Sequence, residues 1–500
     1  MQPMDSEAIM DHRHTDRNSS FPQSPSSGAR NRDGDRYQHS HSRGHRDRYT
    51  APSSSSYPPP TNATLSLRLP VPRPSDPAPP GPAPSVQQPT EIAHFSYDAD
   101  GQFHADRSSL RYWSPPPSSL LPCERVSDPR ELAVPLSAAP ATATRAMRDE
   151  DKRFLDLNSG FDQYDPNAGP GIEPLDNLLR GLVDHGVWSA QRGGAEGVSI
   201  VTWRGIVTKL LVAPYNDRDG WELGMVKHKS TVFIHEHFTP DRLAQEADTQ
   251  RDPRRARMAY WGYRFEHLCV LATPPTSLSP AELKQAHDHR TSSPLNPQVQ
   301  YCSVVKTKIG NHRVILGAEV DCCLPPRPSN AQSISANAPS QPLHYLELKT
   351  HRLGSGGVFG WRSKLLRIWA QSFLAGIPTI MIGFRDDNGI VRAVREYKTL
   401  ELPRGVRGLD AAQGGWDPNV CIRFAADAID KIVGLVRGGE EGVEWMARYV
   451  PKDRVVEVFR KTVREETSNS GKDKVWENGR LGGVVPEWFK RGEEFEQRPR

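Results

Sequence analysis

The sequence predicts one α+β domain behind a long polar tail. Three features carry that reading. Segments that alternate apolar and polar residues, as half-buried strands do, are interleaved with apolar stripes at helical spacing. No internal repeat and no linker divides residues 89–490, so they are taken as a single domain with inserted loops at about 273–300 and 325–342. Residues 1–88 are rich in Ser, Pro, Arg and His, and among the first 60 only Ile9 and Phe21 are Ile, Leu, Val or Phe. Such a segment buries too little to offset its chain entropy. It is expected to be a disordered tail, so that deletion of residues 1–80 leaves the domain intact.

Composition narrows the function classes. Lys and Arg total 64 against 60 Asp and Glu, a net charge of +4. That balance does not suit a bulk nucleic-acid coat, and any such contact should follow a local basic path. The six cysteines form no C-x-x-C pair, and Cys322 and Cys323 are adjacent. This points to a reducing compartment rather than a disulfide framework. The first residues do not read as a signal peptide, and the apolar run at 377–384 is too short to span a bilayer. A soluble, intracellular protein without a membrane partner is expected.

The elements follow in order. Residues 89–97 and 110–113 are the first ordered segments, and 114–122 is a Pro-rich loop. Glu173-Pro174 opens a helix with Leu175, Leu178, Leu179 and Leu182 on one stripe. Residues 198–203 form a strand. Further strands at 206–212, 221–227 and 231–236 suggest an antiparallel meander. His235 and His237 share a strand face, but two histidines without a third ligand do not make a metal site. Residues 257–272 read as a helix that buries Met258, Trp261, Phe265, Leu268 and Ala272, with Glu266 beside the stripe. A hairpin turns at Gly310-Asn311. A helix over 361–375 ends at Gly376. A second hairpin turns within 386–389, and 425–436 is a last helix.

The charged ends of two strands are the candidate site. In 314–321, alternation puts Glu319 and Asp321 on one face; in 344–350 it puts Glu347 and Lys349 on one face. If the strands are neighbours, three carboxylates crowd one ammonium. Such a cluster is repulsive unless a cation neutralises it, and oxygen ligands of this kind suit Mg²⁺ or Mn²⁺. A lysine beside them can hold a phosphate or orient an attacking water, the logic of metal-dependent phosphodiester hydrolysis. Solvated strand ends with ordinary ion pairs remain the alternative on these residues alone.

Taken together the motifs form an ordered set: Trp203-Arg204-Gly205, Gly262-Tyr263-Arg264-Phe265-Glu266, Glu319-Val320-Asp321, Glu347-Leu348-Lys349 and Trp369-Ala370-Gln371. This order resembles the decapping exonuclease (DXO/Dom-three-Z) family, in particular its fungal branch, from about Glu91 to about Phe424. The resemblance implies two central mixed β-sheets flanked by helices, with the acidic-x-lysine core of restriction-type nucleases. It implies divalent ions, Mg²⁺ or Mn²⁺, and a pair of them since four carboxylates can hold two, bound by Glu266, Glu319, Asp321, Glu347 and the Leu348 carbonyl. Lys349 then lies near the attacking water, with Glu266, Asp321, Glu347 and Lys349 the catalytic set. Glu173, Trp203, Arg204, Gly205, Cys302, Glu319, Lys349 and Gln371 become substrate contacts. One departure stands out. Some animal members carry an arginine where this chain has Gly101, and that contact does not carry over.

The activity implied is hydrolysis at RNA 5′ ends. NAD caps and incomplete guanosine caps leave whole, triphosphates lose pyrophosphate, and 5′-monophosphate RNA remains. The partner implied is a nuclear 5′→3′ exoribonuclease, and with it a nuclear location. The rivals are a mainly non-catalytic activator of that exoribonuclease and a DNA nuclease with the same acidic-x-lysine core.

Overall fold

The computed structural model describes residues 62–77, 80–116, 121, 123–137, 155–165, 174–189, 197–237, 252–325, 343–354, 357–461 and 484–492. Two mixed sheets organise them. The larger has ten strands, in the spatial order β1 (Ala63–Pro70), β17 (Val455–Lys461), β16 (Glu444–Val450), β7 (Trp221–His228), β8 (Thr231–His237), β6 (Val198–Trp203), β11 (His312–Glu319), β10 (Gln300–Ile309), β2 (Thr90–Tyr97) and β3 (Phe103–His104). The smaller has seven, in the order β5 (Cys123–Arg125), β15 (Val391–Lys398), β14 (Thr379–Arg385), β13 (Tyr345–Arg352), β12 (Cys322–Cys323), β4 (Tyr112–Trp113) and β9 (Val270–Leu271). The expected α+β class with two mixed sheets is what forms.

Six helices of nine residues or more stand among the described residues: α1 (Asp176–Asp184), α2 (Arg204–Val212), α3 (Pro253–Cys269), α4 (Pro280–Ser292), α5 (Gly357–Ala375) and α6 (Pro418–Gly438). The largest core unites Ile200 and Leu223 of the large sheet, Ile380 and Ile382 of the small one, and the buried faces of α2, α5 and α6. α1 packs Leu178 and Leu182 with Phe95 and Ile315 of the large sheet. α3 packs Trp261, Phe265 and Leu268 on Leu346 and Leu348 of β13. Each fully buried side chain of this size contributes roughly 1.5–3 kcal/mol.

Several expectations need correction. Residues 206–212 are helix, not strand: α2 is buried on nearly every side, so its β-branched run hides the helical period. The meander therefore fails at β6, which runs parallel to both β8 and β11; only β7 and β8 pair antiparallel. Met258 is 49% exposed and Ala272 lies beyond α3, so the buried stripe of that helix is shorter than its sequence pattern. The loop at 273–300 contains α4, started by Pro280 and a capping box between Ser279 and Glu282. The tail is also shorter than 88 residues. Leu67, Leu69 and Val71 reach the main core, and β1 pairs antiparallel with β17. Strands β16 and β17, not anticipated, supply that partner some 390 residues downstream in sequence, roughly the separation of Leu67 and Val458. Residues 1–61 and most of the 325–342 insert lie outside the described residues. Gly101 takes φ +71° in the turn between β2 and β3, a left-handed conformation that favours glycine over any residue with a side chain.

Candidate active site

The site forms where the two sheets meet. β11 ends at Glu319, the chain crosses through Val320 and Asp321, and β12 begins in the other sheet. The two charged strands are therefore not neighbours. β12 mediates, pairing antiparallel with β13 at Cys322↔Leu346 and Cys323↔Tyr345. One more step of that register sets Asp321 across from Glu347. The junction is fastened at Leu348, whose N–H donates to Asp321 Oδ2 at 2.5 Å. Because β12 has two residues, the same edge of β13 beyond Leu346 is left to side chains.

Lys349 sits among the acids. Its Nζ is 2.6 Å from Glu347 Oε1 and 3.7 Å from Asp321 Oδ2, and it donates to the Leu348 carbonyl at 3.0 Å. Arg204 enters from the first turn of α2, directly after β6 of the larger sheet, with Nη1 3.9 Å from Glu347 Oε2. Both of those atoms are buried, and neither has a hydrogen-bond partner. At 3.9 Å they are too far apart to satisfy each other. Among the described residues, no three His, Cys, Asp or Glu side chains converge tightly enough to chelate an ion as they stand. Lys349 instead lies between Glu347 and Asp321.

The electrostatics show a shortage of positive charge. Burial, and then Asp321, pushes Glu266 well above the carboxylate range. Burial and Asp321 likewise push Glu319 up to about 7, although its side chain opens into the cleft. Asp321 rises to about 6: burial and Glu347 outweigh the attraction of Lys349 and the Leu348 N–H. Glu347 alone falls, because Lys349 and Arg204 overcome its burial. Lys349 is raised by the carboxylates around it, against its own burial. Lys349 and Asp321 thus shift in the same direction. Asp321 also faces other acids, so one cation shared among them does not neutralise it. Hard carboxylate oxygens, a nearby main-chain carbonyl and surplus negative charge fit a divalent cation.

Local folding places Arg204 with care. Trp203 ends β6 opposite Gly317 of β11, and a Cβ at Gly317 would stand 2.7 Å from the indole. The indole N–H donates to the Pro174 carbonyl at 3.2 Å. α2 begins at once, with no side-chain cap on its first N–H groups, and open space lies beside Gly205. A helix start with an arginine at its first position suits an anion.

Glu266, Glu319 and Asp321 line one end of a cleft of about 580 Å³. Tyr263, not anticipated, lines it too; burial and Glu319 push its hydroxyl up to about 12. Lys364 of α5 was also missed. It donates to the Thr350 carbonyl at 2.5 Å, and burial together with Lys349 lowers it to about 8. Tyr263 lies inside a motif already noted, whereas no spacing marks Lys364. Cys302 needs correction: it pairs across from Glu319, but its side chain is buried in the core and does not line the cleft. Gln371 is half-buried on α5 and, among the described residues, makes no hydrogen bond to this group. Glu173 lies outside the described residues. The rings of His235 and His237 meet edge to face with centroids 4.9 Å apart, in the larger sheet rather than the one that holds β13.

The chain is similar to known proteins over most of its length. Residues 87–490 match a family model described as RAI1 like PD-(D/E)XK nuclease. The chain is 33% identical over 382 residues to the decapping nuclease RAI1 of Aspergillus fumigatus, covering 75% of this chain and 89% of that protein. It is 34% identical over 351 residues to the decapping and exoribonuclease protein of Bos taurus, covering 68% and 73%. It also matches the crystal structure of S. pombe Rai1 in complex with 3′-FADP, with a TM-score of 0.54 and 28% identity over 80% of this chain and 100% of that one.

Proposed function

The chain belongs to the RAI1-like PD-(D/E)XK nuclease family, and on that premise we propose that it is a metal-dependent hydrolase of RNA 5′ ends. In this reading it removes NAD caps and incomplete, unmethylated guanosine caps whole, takes pyrophosphate from 5′-triphosphate RNA, and leaves a 5′-monophosphate. It also stimulates a nuclear 5′→3′ exoribonuclease, which consumes that product, and so acts in the nucleus. The observation that carries the catalytic part is the acid group itself: among the described residues, Glu266, Glu319, Asp321 and Glu347 gather around two cationic side chains, Lys349 and Arg204.

Glu266, Glu319, Asp321, Glu347 and the Leu348 carbonyl would hold Mg²⁺ or Mn²⁺, most simply as two ions. A divalent ion bound there supplies Lewis-acid stabilisation of the attacking and leaving oxygens. The chain's own residues do the rest. Lys349, fixed by Glu347, presents its ammonium to the scissile phosphate and the attacking water. Arg204 and the N–H groups at the start of α2 hold phosphate oxygens of the RNA end. Gln371 and Glu173 contribute substrate contacts as the cleft fills, and buried Cys302 supports Glu319 from the facing strand. The names of the relatives support decapping, and a relative bound to 3′-FADP supports a pocket that accepts a bulky nucleotide end.

The test is to incubate the pure protein with NAD-capped, unmethylated guanosine-capped and triphosphate RNA, with and without Mn²⁺, and to weigh the released product. Intact NAD, the whole cap and pyrophosphate are expected. Nicotinamide mononucleotide would place the cut inside the cap's own bridge and overturn the mechanism.

A further inference from the structure

A second groove, of about 700 Å³, opens along two of the elements that carry the acids, α3 with Glu266 and β13 with Glu347. α3 holds Glu266 near its C-terminal end and Arg254 and Arg257 near its start; β13 holds Lys349 and then Arg352. Arg385 of β14 completes a lining of four arginines against one acid, Asp387. Along the helix axis Arg257 is about 14 Å from Glu266, and along the strand Arg352 is about 10 Å from Lys349, three residues on and so on the opposite face of β13.

Two details argue against an incidental cluster of surface charge. The first turn of α3 has no acidic residue and carries Arg254 and Arg255, with Arg257 following, all at the positive end of the helix dipole. Arg255 is paired with Asp252, but Arg254 and Arg257 are exposed in the groove. Arg385 is only 7% exposed, lies over the Trp261 ring at 4.2 Å, and has a buried Nε with no hydrogen-bond partner. Arg352 is engaged with Asp387, which leaves the other three arginines in excess. A buried guanidinium donor and surplus positive charge suit the phosphates of a nucleic-acid backbone.

We propose that this groove is a subsite for the phosphate backbone of RNA downstream of the cleaved bond. The proposal rests on the RNA-end reading and adds a length requirement to it: a short substrate fills the acid site alone, and a longer one also fills the groove.

The experiment measures binding of a long 5′-phosphorylated oligouridylate and of a dinucleotide, by fluorescence anisotropy over a salt series. The proteins are the parent and the double variant Arg254→Gln/Arg257→Gln. Two lost phosphate contacts should weaken the long RNA several-fold and flatten its salt slope by about 1.4, with the dinucleotide unmoved. Lysine at both positions should restore much of the slope. An unchanged slope, or equal loss for both lengths, overturns the subsite. Polyglutamate that binds the parent but not the variant, while the long RNA binds both equally, also overturns it, in favour of an acidic polypeptide. Binding does not require turnover. A parent that binds long RNA through these arginines but cleaves no 5′ end therefore refutes the proposed activity and leaves the subsite standing.

Discussion

Tyr345 and Glu347 stand two residues apart on one face of β13, yet they serve carboxylates with opposite electrostatics. Tyr345 donates to Glu91 at 2.6 Å, as Ser303 does at 2.6 Å and Arg107 at 2.7 Å. Burial opposes the charge of Glu91, but bonds from His94, Ser303, Tyr345 and Arg107 outweigh it and bring the carboxyl down to about 2. Glu91 and Ser303 belong to the large sheet and Tyr345 to the small one, so this carboxylate ties the sheets together. Glu347 belongs to the other kind of cluster, in which Glu266, Glu319 and Asp321 are all pushed up. Burial is common to both, and donor count separates them. One carboxylate with several protein donors is a fastener; four carboxylates with two cations are a receptor for positive charge.

The largest expected effect is on turnover. Asp321→Asn and Glu347→Gln should each reduce RNA-end hydrolysis by about three orders of magnitude, the equivalent of several kcal/mol of Lewis-acid stabilisation. Metal-free melting temperature should hold or rise in Asp321→Asn, since one repulsive charge is gone. Metal-dependent turnover that survived in both variants would break the comparison at its active end.

Glu91→Ala should do the reverse. It takes the acceptor from Ser303 and Tyr345, leaving the Tyr301–Tyr345 hydroxyl bond as what remains of the buried network, at a cost of about 3 kcal/mol in denaturant unfolding. Activity per folded molecule should be retained. The sign with pH follows from a lowered carboxyl: the parent holds this contribution above the ordinary carboxylate range and loses it as pH falls toward about 2. Glu91→Ala should therefore flatten the acid limb of the stability curve. A variant equally stable at neutral pH would show that the tie contributes nothing.

The raised carboxyls of Glu319 and Asp321 predict a smaller effect of opposite sign. Their contribution to stability is full at low pH and is lost as pH rises through about 6 and 7. Mn²⁺ binding needs the ionised forms, so it should raise the melting temperature more at pH 8 than at pH 5. At a hundredfold excess over Kd the stabilisation is about 2.7 kcal/mol. Glu91→Gln should keep this metal shift, and Asp321→Asn should lose most of it. An equal shift at both pH values would remove the charge surplus as its cause.

The two clusters were unequally legible in the sequence. The acids and Lys349 stand at period-two spacing beside apolar residues, so their strand ends could be read locally. Their meeting could not, because it depends on the two-residue strand Cys322–Cys323 that carries the chain between sheets. Glu91 was invisible as a tie, since its donors come from residues 94, 107, 303 and 345 and leave no spacing to read. The same distance in sequence hid β1: Leu65, Leu67 and Leu69 alternate, but their partner strand begins at Val455. Deletion to 80 therefore removes strand β1 from the larger sheet. Residues 206–212 failed for the opposite reason, since local composition favoured a strand while burial on most sides made a helix. The capping box before α4 was legible and was outweighed by the Pro, Ser and Thr around it.

The smallest effect tests whether donor count is the right variable. Ser303→Ala removes one of the donors to Glu91 and leaves Tyr345, Arg107 and His94 in place. Ser303 is 1% exposed, so water cannot readily replace the hydroxyl. The expected cost is about 1 kcal/mol, the net value of one hydrogen bond. The acid limb of the stability curve should also move to higher pH, because the remaining donors hold the carboxyl down less firmly. Combined with Glu91→Gln, the double variant should cost less than the two single changes added, since both act on one bond. Turnover should be untouched even though the neighbouring Cys302 pairs with Glu319 across the strand. A loss of turnover without a loss of stability would mean that the two clusters form one site, and that Tyr345 and Glu347 share a face for catalysis.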